Sequence, residues 1–191
     1  MHPGIVALFD SGVSGGCLYY VMPFVPSETL RARIVRERRI AAPDCAALGA
    51  DIAEALAYSH GLGIVHRDVK PENVFTVAGR AIIADFGIAR VRDLRSPDEN
   101  AQTTVGTILG TLAYMSPEQA SGETEIDGRA DLYSLGCTLY ELLTGEPPFS
   151  ASTFMGMLAK HMTEVPRTPS ERGVSLSPEF DAFVMQLLAK D

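Results

Sequence analysis

The sequence predicts an α+β domain, a small strand-rich start followed by a mainly helical body. Short runs of β-branched and aromatic residues lie before residue 25. Beyond residue 43, apolar residues recur at spacings of three and four, the period of a helix with one buried face. The apolar share of 46 % against a charged share of 21 % in 191 residues suits one globular domain with a real core.

The elements follow in order. Ile5–Asp10 and Cys17–Phe24 read as two strands of an antiparallel hairpin, with Ser11-Gly12-Val13-Ser14-Gly15-Gly16 as the turn. That glycine-rich stretch lacks the Lys-Ser/Thr of a phosphate-cradling loop, so a plain turn is the better reading. Ser27 is placed to cap a short helix carrying Leu30 and Ile34, with Arg31, Arg33, Arg36, Arg38 and Arg39 around it. The arginines offer either a solvated face or a phosphate-recognising cluster. Pro43 starts a longer helix with Asp44 in its first turn, a core stripe of Leu48, Ile52, Leu56 and Ala57, and Gly61 and Gly63 at its end. Ile64-Val65, Asn73–Val77 and Ala81–Ala84 read as short strand pieces around polar loops. Residues 91–111 are rich in Thr, Ser, Asp and Gly and read as a long surface segment. Helices are expected over Arg129–Thr144, residues 151–162 and residues 178–190.

Composition excludes several classes. A formal charge of -8, from 24 acidic and 16 basic residues, argues against a protein that grips nucleic acid or anionic lipid. The three cysteines, Cys17, Cys45 and Cys137, are too scattered for a disulfide framework or a zinc site and fit a reducing, cytoplasmic setting. No basic flank and apolar run marks a signal peptide, and no apolar run of about eighteen residues could span a membrane. An anchor outside this stretch stays open.

Chemistry concentrates in His66-Arg67-Asp68-Val69-Lys70-Pro71-Glu72-Asn73 and in Asp85-Phe86-Gly87, 17 positions after Asp68 (68 to 85). A loop carboxylate at Asp68 can orient, or take the proton of, an incoming hydroxyl. Lys70 sets a compact positive charge beside it, suited to a phosphoryl group in transit. Asn73 and Asp85 supply the hard oxygens that Mg²⁺ prefers. Gly87 lets the backbone turn just after Asp85.

These residues resemble the catalytic loop and metal-binding motif of eukaryotic-type Ser/Thr protein kinases. The resemblance implies that Asp68 is the catalytic base, that Lys70 contacts the γ-phosphate of ATP, and that Asn73 and Asp85 hold Mg²⁺. It continues through Ser116-Pro117-Glu118, similar to the family's Ala-Pro-Glu, and through Asp131-Leu132-Tyr133-Ser134-Leu135-Gly136, similar to the buried helix whose aspartate bonds the catalytic-loop backbone. His2-Pro3-Gly4-Ile5-Val6 resembles the family's His-Pro-Asn-Ile. Lys70-Pro71-Glu72 and Gly110-Thr111 resemble Ser/Thr rather than tyrosine kinases, so protein Ser/Thr hydroxyls are the implied substrates. Gly-Thr-Leu-Ala-Tyr-Met-Ser-Pro-Glu-Gln-Ala has a bacterial flavour. Met22, Pro23 and Val25 are placed by resemblance along the adenine, with Phe75 under the ring; ordinary strand and core packing would serve the same four residues. Arg67 implies a phosphate partner on the activation segment, with Thr103 and Thr104 as first candidates, Thr107 third, and Thr111 near the catalytic aspartate.

The resemblance divides the chain into residues 1–25, small-lobe strands and hinge, and residues 26–191, large lobe. It also leads one to expect a partial kinase domain. No Gly-rich loop is found, and none of Lys70, Lys160 and Lys190, the only lysines, precedes the hinge. Without the arginine that the family carries further on, Glu118 is expected to lack its partner. A parent enzyme with a weak isolated piece is the leading expectation; a non-catalytic, pseudokinase-like binding module is the alternative.

Overall fold

The computed structural model describes residues 1–86 and 112–190. The expectations for Gly87, Thr103, Thr104, Thr107, Gly110 and Thr111, and for the segment 91–111, fall outside these residues.

The chain opens with a hairpin, β1 (Asp10–Ser14) and β2 (Cys17–Val21), paired antiparallel with Ser14 opposite Cys17. Its turn is narrower than the sequence suggested. Gly15 and Gly16 alone make it, with φ of 57° and 78°. Two successive positive-φ positions match the right-handed twist of the flanking strands, and glycine adopts them without a Cβ clash. Ile5 does not belong to the hairpin. It forms a parallel bridge to Ile83, and the Val6 amide donates to the Ile83 carbonyl at 2.8 Å, so the opening segment is tied to the helical body.

Helix α1 (Leu30–Glu37) is capped by Thr29, whose hydroxyl accepts from the Ala32 amide at 3.2 Å. The expected cap, Ser27, instead donates its hydroxyl to the Thr76 carbonyl. It stands too far upstream to reach the first free amides. Three of the five arginines named for this region are committed to carboxylates rather than free for a phosphate, and Arg39 donates to the Thr144 carbonyl at 3.0 Å. Arg33 bonds Glu37 and Asp44 at 3.1 Å each, Arg36 bonds Glu28, and Arg31 bonds Glu72 and Glu141.

Helix α2 (Ala42–His60) begins with Pro43 in its first turn and ends at Gly61. Its buried stripe is Cys45, Leu48, Ile52, Ala55 and Leu56; Ala57 is exposed, because 3.6-residue periodicity turns it past the core edge. Ile64 and Val65 carry no strand. A second hairpin, β3 (Val74–Val77) and β4 (Arg80–Ile83), pairs Phe75 with Ile82. Helix α3 (Pro117–Ser121) is one short turn, followed by α4 (Gly128–Thr144), α5 (Phe154–Thr163) and α6 (Pro178–Leu187).

Helix α4 is the centre of the body, with nearly every residue from Ala130 to Thr144 buried. A helix apolar all round belongs inside, and α2 and α6 pack on it. Contact with α2 is close: a Cβ at Gly49 would meet Leu139 Cδ2 at 2.9 Å. The main core joins Leu48, Ile52 and Leu56 to Leu135, Leu139 and Leu143, and reaches Val69, Val74 and Ile83 under the polar loop. The α+β expectation holds, as a small β part in two hairpins and a mainly helical region. Among the described residues no helix is long and apolar enough to cross a membrane.

Candidate active site

The loop from His66 to Asn73 runs over the core between α2 and β3, so its polar side chains are carried on a rigid floor. Val69 and Pro71 point down into it, and Val69 is fully buried. The backbone is pinned from beneath. Asp131, fully buried at the start of α4, accepts from the His66 amide at 2.8 Å, the Arg67 amide at 2.7 Å and His60 Nε2 at 2.7 Å. Arg67 has φ of 68°, a left-handed conformation that costs a non-glycine residue about 1–2 kcal/mol. Its amide is held by Asp131, and its carbonyl accepts from Gln119 Nε2 at 2.9 Å.

Above this floor three predicted residues meet. Lys70 Nζ donates to both oxygens of Asp68, at 2.8 and 2.7 Å. Asn73 Nδ2 donates to the Asp68 carbonyl at 2.8 Å and to Asp68 Oδ2 at 3.0 Å. Asn73 is itself buried, in a one-turn 3₁₀ segment, Pro71–Asn73. The loop is sewn to the end of β4: the Ala84 amide donates to the Asn73 carbonyl at 2.8 Å, and His66 Nε2 meets the Ala84 carbonyl at 2.9 Å. Asp85 follows directly, with φ of 64°, so the backbone already turns sharply at the aspartate. Phe86 packs edge-on against the His66 ring, with centroids 4.5 Å apart.

The residues expected around a purine are only partly gathered. Met22 shares a small cavity of about 50 Å³ with Asp85, Phe86, Val6, Leu8 and Tyr20. Pro23, Val25 and Phe75 do not line it. Phe75 is close to the connecting segment all the same, through a bridge to Thr29 and the Thr76 amide's 3.0 Å bond to the Glu28 carbonyl. A larger cavity, about 620 Å³, is lined by Glu118, Tyr133, Phe183 and Lys190 but by none of Asp68, Lys70, Asn73 or Asp85. Glu118 has no salt-bridge partner among the described residues. The Arg67 guanidinium likewise has no carboxylate partner among them.

Gln119 was missed by sequence reading, although its signal was there. Ser116 and Gln119 form a reciprocal capping box, the S-x-x-Q pattern that opens a helix. The same amide then reaches the Arg67 carbonyl, which only the fold reveals. His60, which the sequence reading did not single out, proves to be a third donor to Asp131.

Chemically, the arrangement is a carboxylate flanked by an ammonium and an amide, on a loop whose backbone cannot drift, one strand-end away from a second carboxylate. The α+β fold and this loop are those of the protein kinase class. The chain belongs to the protein kinase domain family, whose match covers residues 1–191. Over its whole length it is 43 % identical to serine/threonine-protein kinase PknB of Mycolicibacterium smegmatis, and 42 % identical to the PknB proteins of Mycobacterium leprae and Mycobacterium tuberculosis. It spans about 30 % of the length of these relatives.

Proposed function

We propose that this chain forms the phosphoryl-transfer part of a Ser/Thr protein kinase, moving the γ-phosphate of ATP to Ser and Thr hydroxyls of protein substrates. The observation that carries the reading is the Asp68–Lys70–Asn73 cluster, within 3.0 Å throughout, on a loop held by Asp131. The names of the relatives, serine/threonine-protein kinase, support it.

In this reading Asp68 accepts or orients the substrate hydroxyl proton, so that the oxygen attacks as phosphate departs. Lys70 lies against the same carboxylate, where its ammonium meets the negative charge of the transferred group. Asn73 turns both amide hydrogens' side toward Asp68, leaving its carbonyl oxygen for a cation, and Asp85 offers a carboxylate. One amide oxygen and one carboxylate suit Mg²⁺, which fills its remaining positions with water and phosphate oxygens. Mg²⁺ would neutralise charge on the triphosphate. Met22, beside Asp85, with Pro23 and Val25 on the connecting segment and Phe75 below, would border the adenine. Arg67, with a guanidinium open to a phosphate, would pair with phosphorylated Thr103 or Thr104, and Thr111 would stand by Asp68.

The test is phosphate transfer from Mg-ATP to Ser/Thr peptides, measured on the longest native protein that carries this chain, with Asp68→Asn as control. Transfer should fall by about 10²-fold or more in the variant. An equally active variant, or an inert wild type, overturns the reading.

A further inference from the structure

Gln119, on α3, uses both ends of its side-chain amide at once. Its Oε1 accepts from the Ser116 amide at 3.0 Å and closes the capping box, while its Nε2 donates to the Arg67 carbonyl at 2.9 Å, 52 residues away. The first bond is local and asks for an acceptor, which glutamate would supply as well as glutamine. The second asks for a donor, which an ionised carboxylate lacks. The bond to Arg67 is therefore what distinguishes glutamine from glutamate at this position.

That bond falls on a demanding piece of backbone. The peptide unit joining Arg67 to Asp68 is planar, so its carbonyl and its N–H turn together. Gln119 holds the carbonyl, and the Asp68 N–H donates to His66 Nδ1 at 3.2 Å. The Arg67 N–H is on Asp131 at 2.7 Å. Arg67 is left-handed, with φ of 68°, and such a residue persists where its surroundings hold it. Rotation of this one plane would undo the turn and swing the Asp68 carboxylate away from Lys70 and Asn73. The base from which Gln119 reaches is itself seated. Helix α3 packs on α4 and α5, and Ser134 Oγ on α4 donates to the Tyr114 carbonyl at 2.7 Å, just ahead of α3.

We propose that Gln119 is a positioning residue for phosphate transfer. By clamping the Arg67–Asp68 peptide plane it sets the direction of the Asp68 carboxylate, and it ties that direction to the seating of residues 112–121. The effect on transfer rests on the kinase reading above; the clamp itself does not.

The test uses the longest native protein that carries this chain, with Gln119→Glu and Gln119→Met. Gln119→Glu keeps the capping acceptor and adds the negative charge that a helix start favours, but loses the donor. Its melting temperature should stay within about 3 °C of wild type. Its kcat for a Ser/Thr peptide should fall about tenfold, with KM for Mg-ATP changed less than about twofold. Gln119→Met, uncharged and without a donor, should show the same fall in kcat, which separates the lost bond from the added charge. Wild-type kcat in either variant overturns the proposal. So does a loss seen as raised KM alone, or one that merely follows a lowered melting temperature. Hydrogen exchange decides the clamp by itself: the Arg67 and Asp68 amides should exchange about tenfold faster in Gln119→Glu, and equal exchange overturns it. Absence of transfer in wild type would instead count against the kinase reading, while the exchange result still decides the clamp.

Discussion

The Asp131 carboxylate holds the Arg67 amide at 2.7 Å and thereby stabilises a left-handed residue directly before Asp68. Because the same carboxylate takes the His66 amide and His60, three donors converge on one buried group. Asp131→Asn keeps the shape but offers a single oxygen and turns an NH₂ toward backbone N–H. A loss of about 2–4 kcal/mol in unfolding free energy is expected from urea titration, together with reduced phosphate transfer. A variant within about 0.5 kcal/mol of wild type would show that the loop does not depend on this anchor.

Gly136 lies mid-helix in α4, where alanine would ordinarily gain about 1 kcal/mol of helix propensity. Here a Cβ would stand 2.7 Å from Leu187 Cβ and 3.1 Å from Leu188 Cδ2. The obstacle is the root of a side chain rather than its flexible end, so α6 must move. Gly136→Ala should lose about 1–3 kcal/mol on balance, read from the urea midpoint. An equal or raised midpoint would mean that α6 yields freely.

His161 is fully buried against Tyr133, whose hydroxyl lies 2.9 Å from Nδ1, and against the Phe149 ring. Burial, reinforced by the Lys190 ammonium, holds His161 at about 4. Its folded-state value is below the unfolded one, so between pH 6.5 and 4 the unfolded chain binds a proton that the folded chain refuses. Stability should therefore fall as pH drops through that window, by about 3 kcal/mol for the whole span. Because carboxylates titrate there too, the measurement is the difference in slope between wild type and His161→Gln from pH 6.5 to 5. Equal slopes would refute it.

The thiols should divide by burial. Cys17 is exposed, whereas Cys45 and Cys137 are buried. Burial pushes the Cys45 thiol up to about 12 and Cys137 in the same direction, which keeps both as unreactive thiols. An aromatic disulfide reagent should titrate one of the three thiols in the native protein and all three in denaturant. Rapid reaction of two or more in the native state would contradict the packing.

Much of the fold was legible because its signals are local. The stripe of Leu48, Ile52 and Leu56 and the run through α4 can be read within a few residues. Boundaries read less well. Ser27 and Thr29 are both good caps by type, but only Thr29 stands directly before Leu30, while Ser27, two residues upstream, donates to the Thr76 carbonyl 49 residues distant. Ile5 and Val6 have strand-forming side chains but find their partner in Ile83 rather than in the adjoining hairpin.

By itself the sequence determined the chemistry on offer. An ordered run from His66 to Asn73, with Asp85 beyond it, carries carboxylates, an ammonium and an amide whatever the fold does with them. Tertiary structure alone decided which groups hold that run in place: Asp131 from 64 residues away, Gln119 from 52, and Arg31 bonded to a glutamate 110 residues distant. The reason is physical. A side chain's chemistry belongs to its covalent structure, but a buried charge or a left-handed backbone persists only where partners from distant segments are brought to meet it, and that meeting is made by packing helices into a common core.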